Sequence, residues 1–276
     1  MSRLQHVSEP APFPLTGRTF VSQRTVRLGD VTPKGRLRLD ATARYLQDIA
    51  TDDAVDGDYD DPHGWVVRRT EMWVNAFPKY LDQVRLTTWC GGIGSHWAER
   101  RTQIEVQQEG AWSIAIEAAT LWVRVDLQTL KPLALTDDFR RRIGEAAAGR
   151  KISARLHVGR GLADTSSAQS SFVVPLRFSD FDAVGHLNNA VYWEPLEEYL
   201  AAHRDRRAPL HAVVEHHASV EPRSAAHDAA DTSAHDARNI RSSGELTAFV
   251  YELGDRVVLR LVDRTTTASL IQLVND

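Results

Sequence analysis

The sequence predicts an α+β protein made of two tandem copies of one unit, each an antiparallel sheet wrapped around a single long helix. Three observations carry this. Residues 39–55 (LDATARYLQDIATDDAV) place Ala43, Leu46, Ile49 and Ala50 at i, i+3, i+6 and i+7, the stripe of a helix buried on one face. Four long β-prone runs follow with no second helix among them: WVVRRTEMWVNAF, DQVRLTTWC, WAERRTQIEVQQ and WSIAIEAATLWVRVD. The second half then restarts the order strand, turn, helix in SFVVPLRFSDFDAVGHLNNAVYWEPLEEYLAAHR.

Taken in order, FVSQRTVRL (20–28) alternates and reads as the first strand, and GDVTPKG is a turn by its Gly and Pro content. Asp40 or Thr42 is placed to cap the helix. The acidic loop DGDYDDPHG leads to the four strands, which PKYLD, GGIGSH and EGA separate. GGIGSH (91–96) lacks the Gly spacing and the Lys-Ser/Thr of a phosphate loop, so it reads as a bulged strand connection. Residues 127–170 form a connector holding TDDFRRRIGEAAA, a short surface helix capped by Thr136, and the small, polar crossing segment GRGLADTSSAQSS. The second copy matches the first without gaps at a displacement of 150 residues, with identical pairs Arg27/Arg177, Asp30/Asp180, Gly35/Gly185, Leu37/Leu187 and Leu46/Leu196. Its later strands are PLHAVVEHHASVEP, GELTAFVYEL, RVVLRLVDRT and TASLIQLV. Between them, residues 223–243 are rich in Ala, Ser, Asp and His without periodicity, a loop whose pairs His227–Asp228 and His235–Asp236 lack metal-ligand spacing. The expected division is 1–135, an N-terminal repeat; 136–170, a linker with its short helix; and 171–276, a C-terminal repeat.

Composition narrows the function. At 276 residues the chain can bury two cores, and 42% hydrophobic with 25% charged residues is ordinary for a globular protein. No apolar run approaches the roughly 20 residues of a membrane span, and MSRLQHVSEPAPFPL lacks a secretion-signal core, so a cytoplasmic location is expected. One cysteine excludes an intrachain disulfide, and Cys90, within a strand-like run, reads as a buried structural thiol. A net charge of −4 argues against a dedicated nucleic-acid binder. The clusters Arg68–Arg69, Arg100–Arg101, Arg140–Arg142 and Arg204–Arg207 are solvated faces or a landing site for an acidic partner.

The chemistry gathers where the copies diverge. Asp182 and His186 stand where the first copy has Thr32 and Arg36, and Asn188 and Asn189 replace Arg38 and Leu39. A helix is expected from about Asn189, so unpaired backbone N–H groups would face this turn and could hold a developing oxyanion. Asp182 is placed to act as general base on water or as nucleophile. His186 could activate water, orient Asp182 or protonate a leaving thiolate. Asn188 and Asn189 could cap the helix or bind substrate. Asp and Asn also cap helices with no catalytic purpose.

The stretch FSDFDAVGHLNNAVYWEPLEE resembles the signature of hotdog thioesterases. From about residue 18 to its end the chain is similar to the acyl-acyl-carrier-protein thioesterases of plants and bacteria, with VRLGDVTPKGRLRLDATARYLQDIA, GWVVRRTEMWV and TLWVRVDLQTLKPLAL matching in the first half. The resemblance implies a tandem (double) hotdog with its active site in the C-terminal repeat, hydrolysing fatty acyl thioesters on acyl carrier protein or CoA without cofactor or metal. It carries the catalytic roles onto Asp182 and His186, followed by Asn188 and Asn189. Two positions depart from it: Val184 replaces an Asn, and Ser219 and Val220 fall where the family has an acidic residue, often followed by Cys. Glu215, His217 or Glu221 could supply the missing acid/base support. The acyl chain is expected in a tunnel between helix and sheet of the first repeat, lined by the apolar face of 43–50 and the Trp-bearing strands. Ordinary core packing is expected for most of Trp73, Trp97, Trp112 and Trp122. The carrier would be acidic, giving the Arg clusters a use. The alternatives are a degenerate acyl-thioester-binding protein, which Val184 and Ser219 favour, and a 3-hydroxyacyl-thioester dehydratase, whose His/Asp arrangement the GHLNN turn does not resemble. Two hotdogs in one chain make a pseudo-dimer, monomeric or further paired as a homodimer.

Overall fold

The computed structural model describes residues 10–59, 61–159, 162, 164–222 and 244–275. The first repeat contributes β1 (Thr19–Thr25), α1 (Leu39–Asp56), β2 (Gly64–Val74), β3 (Gln83–Ile93), β4 (Trp97–Gln108) and β5 (Ala111–Val125). A connector with α2 (Asp137–Arg142) leads to β6 (Ser170–Leu176), α3 (Glu194–Ala202), β7 (Leu210–His216), β8 (Gly244–Leu253), β9 (Arg256–Asp263) and β10 (Thr266–Asn275). All described strands join one antiparallel sheet in the order β1-β3-β4-β5-β2-β7-β10-β9-β8-β6. Read outward from the β2/β7 seam, the two arms repeat the same steps. The seam pairs Arg69 with Glu215 through Val74 with Leu210, so the sheet runs unbroken from one repeat into the other.

Strand alternation sorts the side chains into two layers. On the helix-facing side Met72, Leu86, Ile104 and Ala118 pack with Leu46 and Ile49 of α1, in a core that also holds Leu196, Leu200, Leu259 and Ile271 of the second repeat. The other side is covered by the connector: Val158 packs on Val213, Tyr251 and Leu270, and the Trp97 indole donates to the Ile152 carbonyl at 3.0 Å.

The strand-to-helix turn is built twice on one plan. Thr32 N–H donates to Arg36 O and Gly35 N–H to Thr32 O, each at 2.8 Å; Asp182 N–H to His186 O and Gly185 N–H to Asp182 O repeat this at 2.9 Å. Gly35 (φ +79°) and Gly185 (φ +86°) supply the left-handed residue each turn requires. Leu37 and Leu187 are then anchored to the carbonyls of Pro78 and Val220.

The helix starts differ from expectation. Neither Asp40 nor Thr42 caps α1, whose N-cap is Arg38. The Thr42 hydroxyl donates to the Arg38 carbonyl and Asp40 pairs with Arg38 and Arg44, because the first N–H of the helix is already taken by a carboxylate from the other repeat. In the second copy, regular α-helix starts at Glu194 rather than near Asn189, after a 3-10 turn over Val191–Trp193. Pro195, in the first turn of α3, has no N–H to extend a ladder back toward Asn189.

Candidate active site

The turn of the second repeat closes over a cavity of the first. This cavity, about 580 Å3, runs along the flank of α1 formed by Gln47, Ala50, Thr51 and Ala54. Its sheet wall carries Trp89, Cys90, Ala98 and Trp122, and its mouth Asp182, Val184, Asn188 and Asn189. Tyr59, Trp65, Phe139 and Ile143 also line it, with the Phe139 ring 5.2 Å from Trp65 and 5.5 Å from Tyr59. Thr136 caps α2 by accepting from Phe139 N–H at 3.1 Å, and Arg142 reaches the Gly57 carbonyl. The expected surface helix therefore supplies a wall of the cavity.

Asp182 is half-buried, and its Oδ1 accepts from Val184 N–H at 3.0 Å and His186 N–H at 3.4 Å. Its Oδ2 accepts from no described donor. The His186 ring is half-exposed beside the mouth and bonds no described residue. Asn188 Oδ1 caps the turn by accepting from Ala190 N–H at 2.9 Å, and also accepts from Gln47 Nε2 at 3.2 Å.

The duplication shows what this leaves open. In the first copy Arg36 forms a two-pronged ion pair with Glu197 of α3, at 3.0 and 2.8 Å, and Leu39 N–H donates to the same carboxylate at 2.7 Å. Under the repeat register Arg36 answers to His186, Leu39 to Asn189 and Glu197 to Gln47. Where the first copy holds a carboxylate, the second holds the neutral amide of Gln47, turned to Asn188. Asn189 N–H donates to no described residue. The first turn is thus plugged by Glu197 of the other repeat, and the second presents, beside Asp182, an N–H with no described partner.

Of the remaining candidates, Glu215 lies elsewhere. It shares the outer face with Val213, fully buried, accepting from His157 N–H at 2.7 Å and Val158 N–H at 3.0 Å. Burial pushes its carboxyl above the usual range. It anchors the connector, as strand alternation requires. His217, half-buried as a side chain, has Nε2 3.9 Å from Glu215, and Glu221 is exposed. The anchoring of Leu37 on Pro78 and Leu187 on Val220 makes Ser219 the counterpart of Phe77, whose ring lies 4.4 Å from the Arg36 guanidinium. An acid at 219 would stand correspondingly beside His186. His227–Asp228 and His235–Asp236 lie outside the described residues.

Sequence reasoning missed Gln47, Asp53 and the neighbour His216, whereas Trp65 and Trp89 line the cavity from the Trp-bearing strands it named. The Gln47/Glu197 mismatch in the repeat alignment was a usable signal. Trp122, on one of the Trp-bearing strands expected to line the tunnel, does line the cavity, and its buried indole N–H has no described partner. Trp73 stacks on His211 at 5.1 Å on the outer face, and Trp112 lies under Arg85 at 4.7 Å. His216, 8% exposed, packs edge-on to Tyr192 at 4.8 Å, and burial lowers its pKa to about 3.

Two fused hotdogs with an acidic turn over an apolar cavity define the double-hotdog class. The profile for the acyl-ACP thioesterase N-terminal domain matches residues 17–143, and that for the C-terminal domain matches residues 163–246. The chain belongs to the acyl-ACP thioesterase family and is a thioester hydrolase. An uncharacterised protein of Mycobacterium tuberculosis, Rv2001, is 27% identical over 209 residues, covering 75% of this chain and 80% of the relative. In fold, the chain is similar to a putative oleoyl thioesterase of Lactobacillus plantarum (TM-score 0.72, 15% identity, 95% and 98% of the two chains). It is also similar to the 12:0-ACP thioesterase of Umbellularia californica (TM-score 0.68, 17% identity, 95% and 98%).

Proposed function

We propose that the protein hydrolyses fatty acyl thioesters carried on acyl carrier protein, with the acyl chain in the α1 cavity and the chemistry at the Asp182 turn. One observation carries the reading: an unpaired backbone N–H and a half-committed carboxylate meet at the mouth of an apolar cavity, while the duplicate of that site is closed by Glu197. The thioester carbonyl oxygen accepts from Asn189 N–H, which polarises it and holds the oxyanion. Asp182 Oδ2 takes a proton from water as the water oxygen bonds to the carbonyl carbon. Collapse of the tetrahedral intermediate breaks the C–S bond, and the proton taken up by Asp182 passes by way of His186 to the leaving sulfur, which restores both groups. Gln47 and Asn188 hold the turn against α1.

The carrier arm approaches through a polar cleft beside the mouth that shares Gln47 and Asn188 with the cavity and carries Arg24, Arg27 and Arg44. The Arg clusters named from sequence are largely occupied within the chain: Arg69 with Glu71, Arg100 with Asp53, Arg101 with Glu99, Arg140 with the Gly94 carbonyl; in the cleft, Arg24 pairs with Asp48 and Arg44 with Asp40. The same arm chemistry admits acyl-CoA.

The deciding assay measures thiol release from acyl-ACP and acyl-CoA series. Asp182→Asn and His186→Ala are each expected to lose at least about 100-fold in kcat while keeping the wild-type melting profile. A second reading, a non-catalytic acyl-thioester binder, is favoured by Ser219, which stands without a carboxylate at the repeat counterpart of Phe77. Acyl carriers that bind without turnover, in wild type and variants alike, would establish it.

A further inference from the structure

The cavity wall is not purely hydrocarbon. Arg100 lies on the helix-facing side of β4, in line with the cavity residue Ala98, and extends under α1. There its Nη1 donates to Asp53 Oδ2 at 2.5 Å and to Thr88 Oγ1 at 3.3 Å. Its Nε and Nη2 donate to no described residue, although the side chain is 21% exposed and lines the cavity. Asp53, 5% exposed, also accepts from Arg18 at 2.8 Å, and Arg18 pairs with Asp56 at 2.7 Å. Independently, the buried Trp122 N–H on the same wall has no partner among the described residues. Unused donors facing an apolar cavity are poorly matched to an alkyl chain, which offers no acceptor.

We infer that the cavity selects acyl chains bearing a hydroxyl group in their distal half, with the hydroxyl oxygen accepting from Arg100 and its proton donated to Asp53. A hydroxyl fits better than a carboxylate, because Arg18 and Arg100 are already balanced by Asp53 and Asp56. Gln47 touches the catalytic turn and Asp53 lies six residues further along α1, about 9 Å at 1.5 Å per residue. The hydroxyl therefore sits well away from the thioester. This inference deepens the thioesterase reading and rests on it.

The test compares kcat/KM for ω-hydroxyacyl and unsubstituted acyl chains of equal length on the same carrier, with Kd values for the corresponding free acids as a readout independent of turnover. Wild type is expected to favour the hydroxyl series by tenfold or more at one chain length. Arg100→Met/Asp53→Leu, which removes both charges together, should bring that ratio to one or below. Arg100→Lys retains the charge without the fork and should give an intermediate ratio if the double variant fails to fold. A wild type that prefers plain chains, or a ratio unchanged in the variants, overturns the inference and leaves Arg100 as a pin holding α1. No thiol release from either series would overturn the thioesterase reading instead, and the free-acid Kd ratio would still decide this one.

Discussion

At the residue scale, the proposed mechanism makes two positions worth testing: Val184, 70% exposed on the turn, and Ser219, the repeat counterpart of Phe77, stand where the family resemblance implies an Asn and an acidic residue. Installing them by Val184→Asn and Ser219→Glu together is expected to raise kcat about tenfold or more if turnover is limited by proton transfer. An unchanged kcat would place the slow step elsewhere, in product release for example. His216 makes a separate prediction. It is held neutral by burial, with its pKa near 3 against about 6.5 when unfolded. The unfolded chain thus binds the extra proton, so this stabilisation is complete above pH 6.5 and is lost as pH falls toward 3. At pH 5 the loss amounts to about 2 kcal/mol. His216→Phe keeps the edge contact with Tyr192 and should flatten the fall in Tm between pH 7 and 5. His217, whose pKa is lowered mainly by burial, leaves a residual slope of the same sign.

At the element scale, the proposed acyl cavity would assign chain-length selection to α1, the loop after it and α2. Ala54 projects from α1 into the cavity, and Phe139 of α2 closes on Trp65 and Tyr59. Ala54→Phe should move the preferred acyl chain shorter, and Phe139→Ala longer, each read as a shifted maximum of kcat/KM over a graded series. Identical maxima in wild type and variants would remove this wall from selectivity. Glu215 ties the connector to β7 by accepting two backbone N–H groups in a fully buried site. Glu215→Ala strands those donors and should cost about 2–4 kcal/mol in denaturant unfolding. Activity per folded molecule should change little, since the side chain is on the face away from the turn.

At the scale of the whole molecule, the sheet and the core both cross the repeat boundary. β2 and β7 pair over six residues, and Met72, Leu86, Leu196 and Leu259 belong to one buried cluster. Neither half buries its apolar face alone, so calorimetry should show one unfolding transition with no stable half-folded species. Two separated peaks would mean that the seam is weaker than its pairing indicates. The same continuity brings the Asp182 turn of one repeat onto α1 of the other, through Asn188 and Gln47.

The order of strands and helices, the duplicated turn, the left-handed glycines and the divergence of Asp182, His186, Asn188 and Asn189 were legible in the sequence. Each depends on short-range geometry: a period of two or 3.6, or a turn closed within five residues. The limits of α1 emerged almost unchanged, and the 3-10 start of the second helix was missed although Pro195 foreshadowed it. What lay beyond reach was what each face meets. Periodicity groups Trp122 with its neighbours but does not say whether they pack against protein or line a cavity. Alternation puts Glu215 opposite Val214 but does not reveal that the connector covers it. Arg36 and Glu197 are 161 residues apart, and Arg100 and Asp53 are 47 apart. Only packing of the assembled sheet and helices decided that one turn is plugged by a carboxylate while its twin opens onto a cavity.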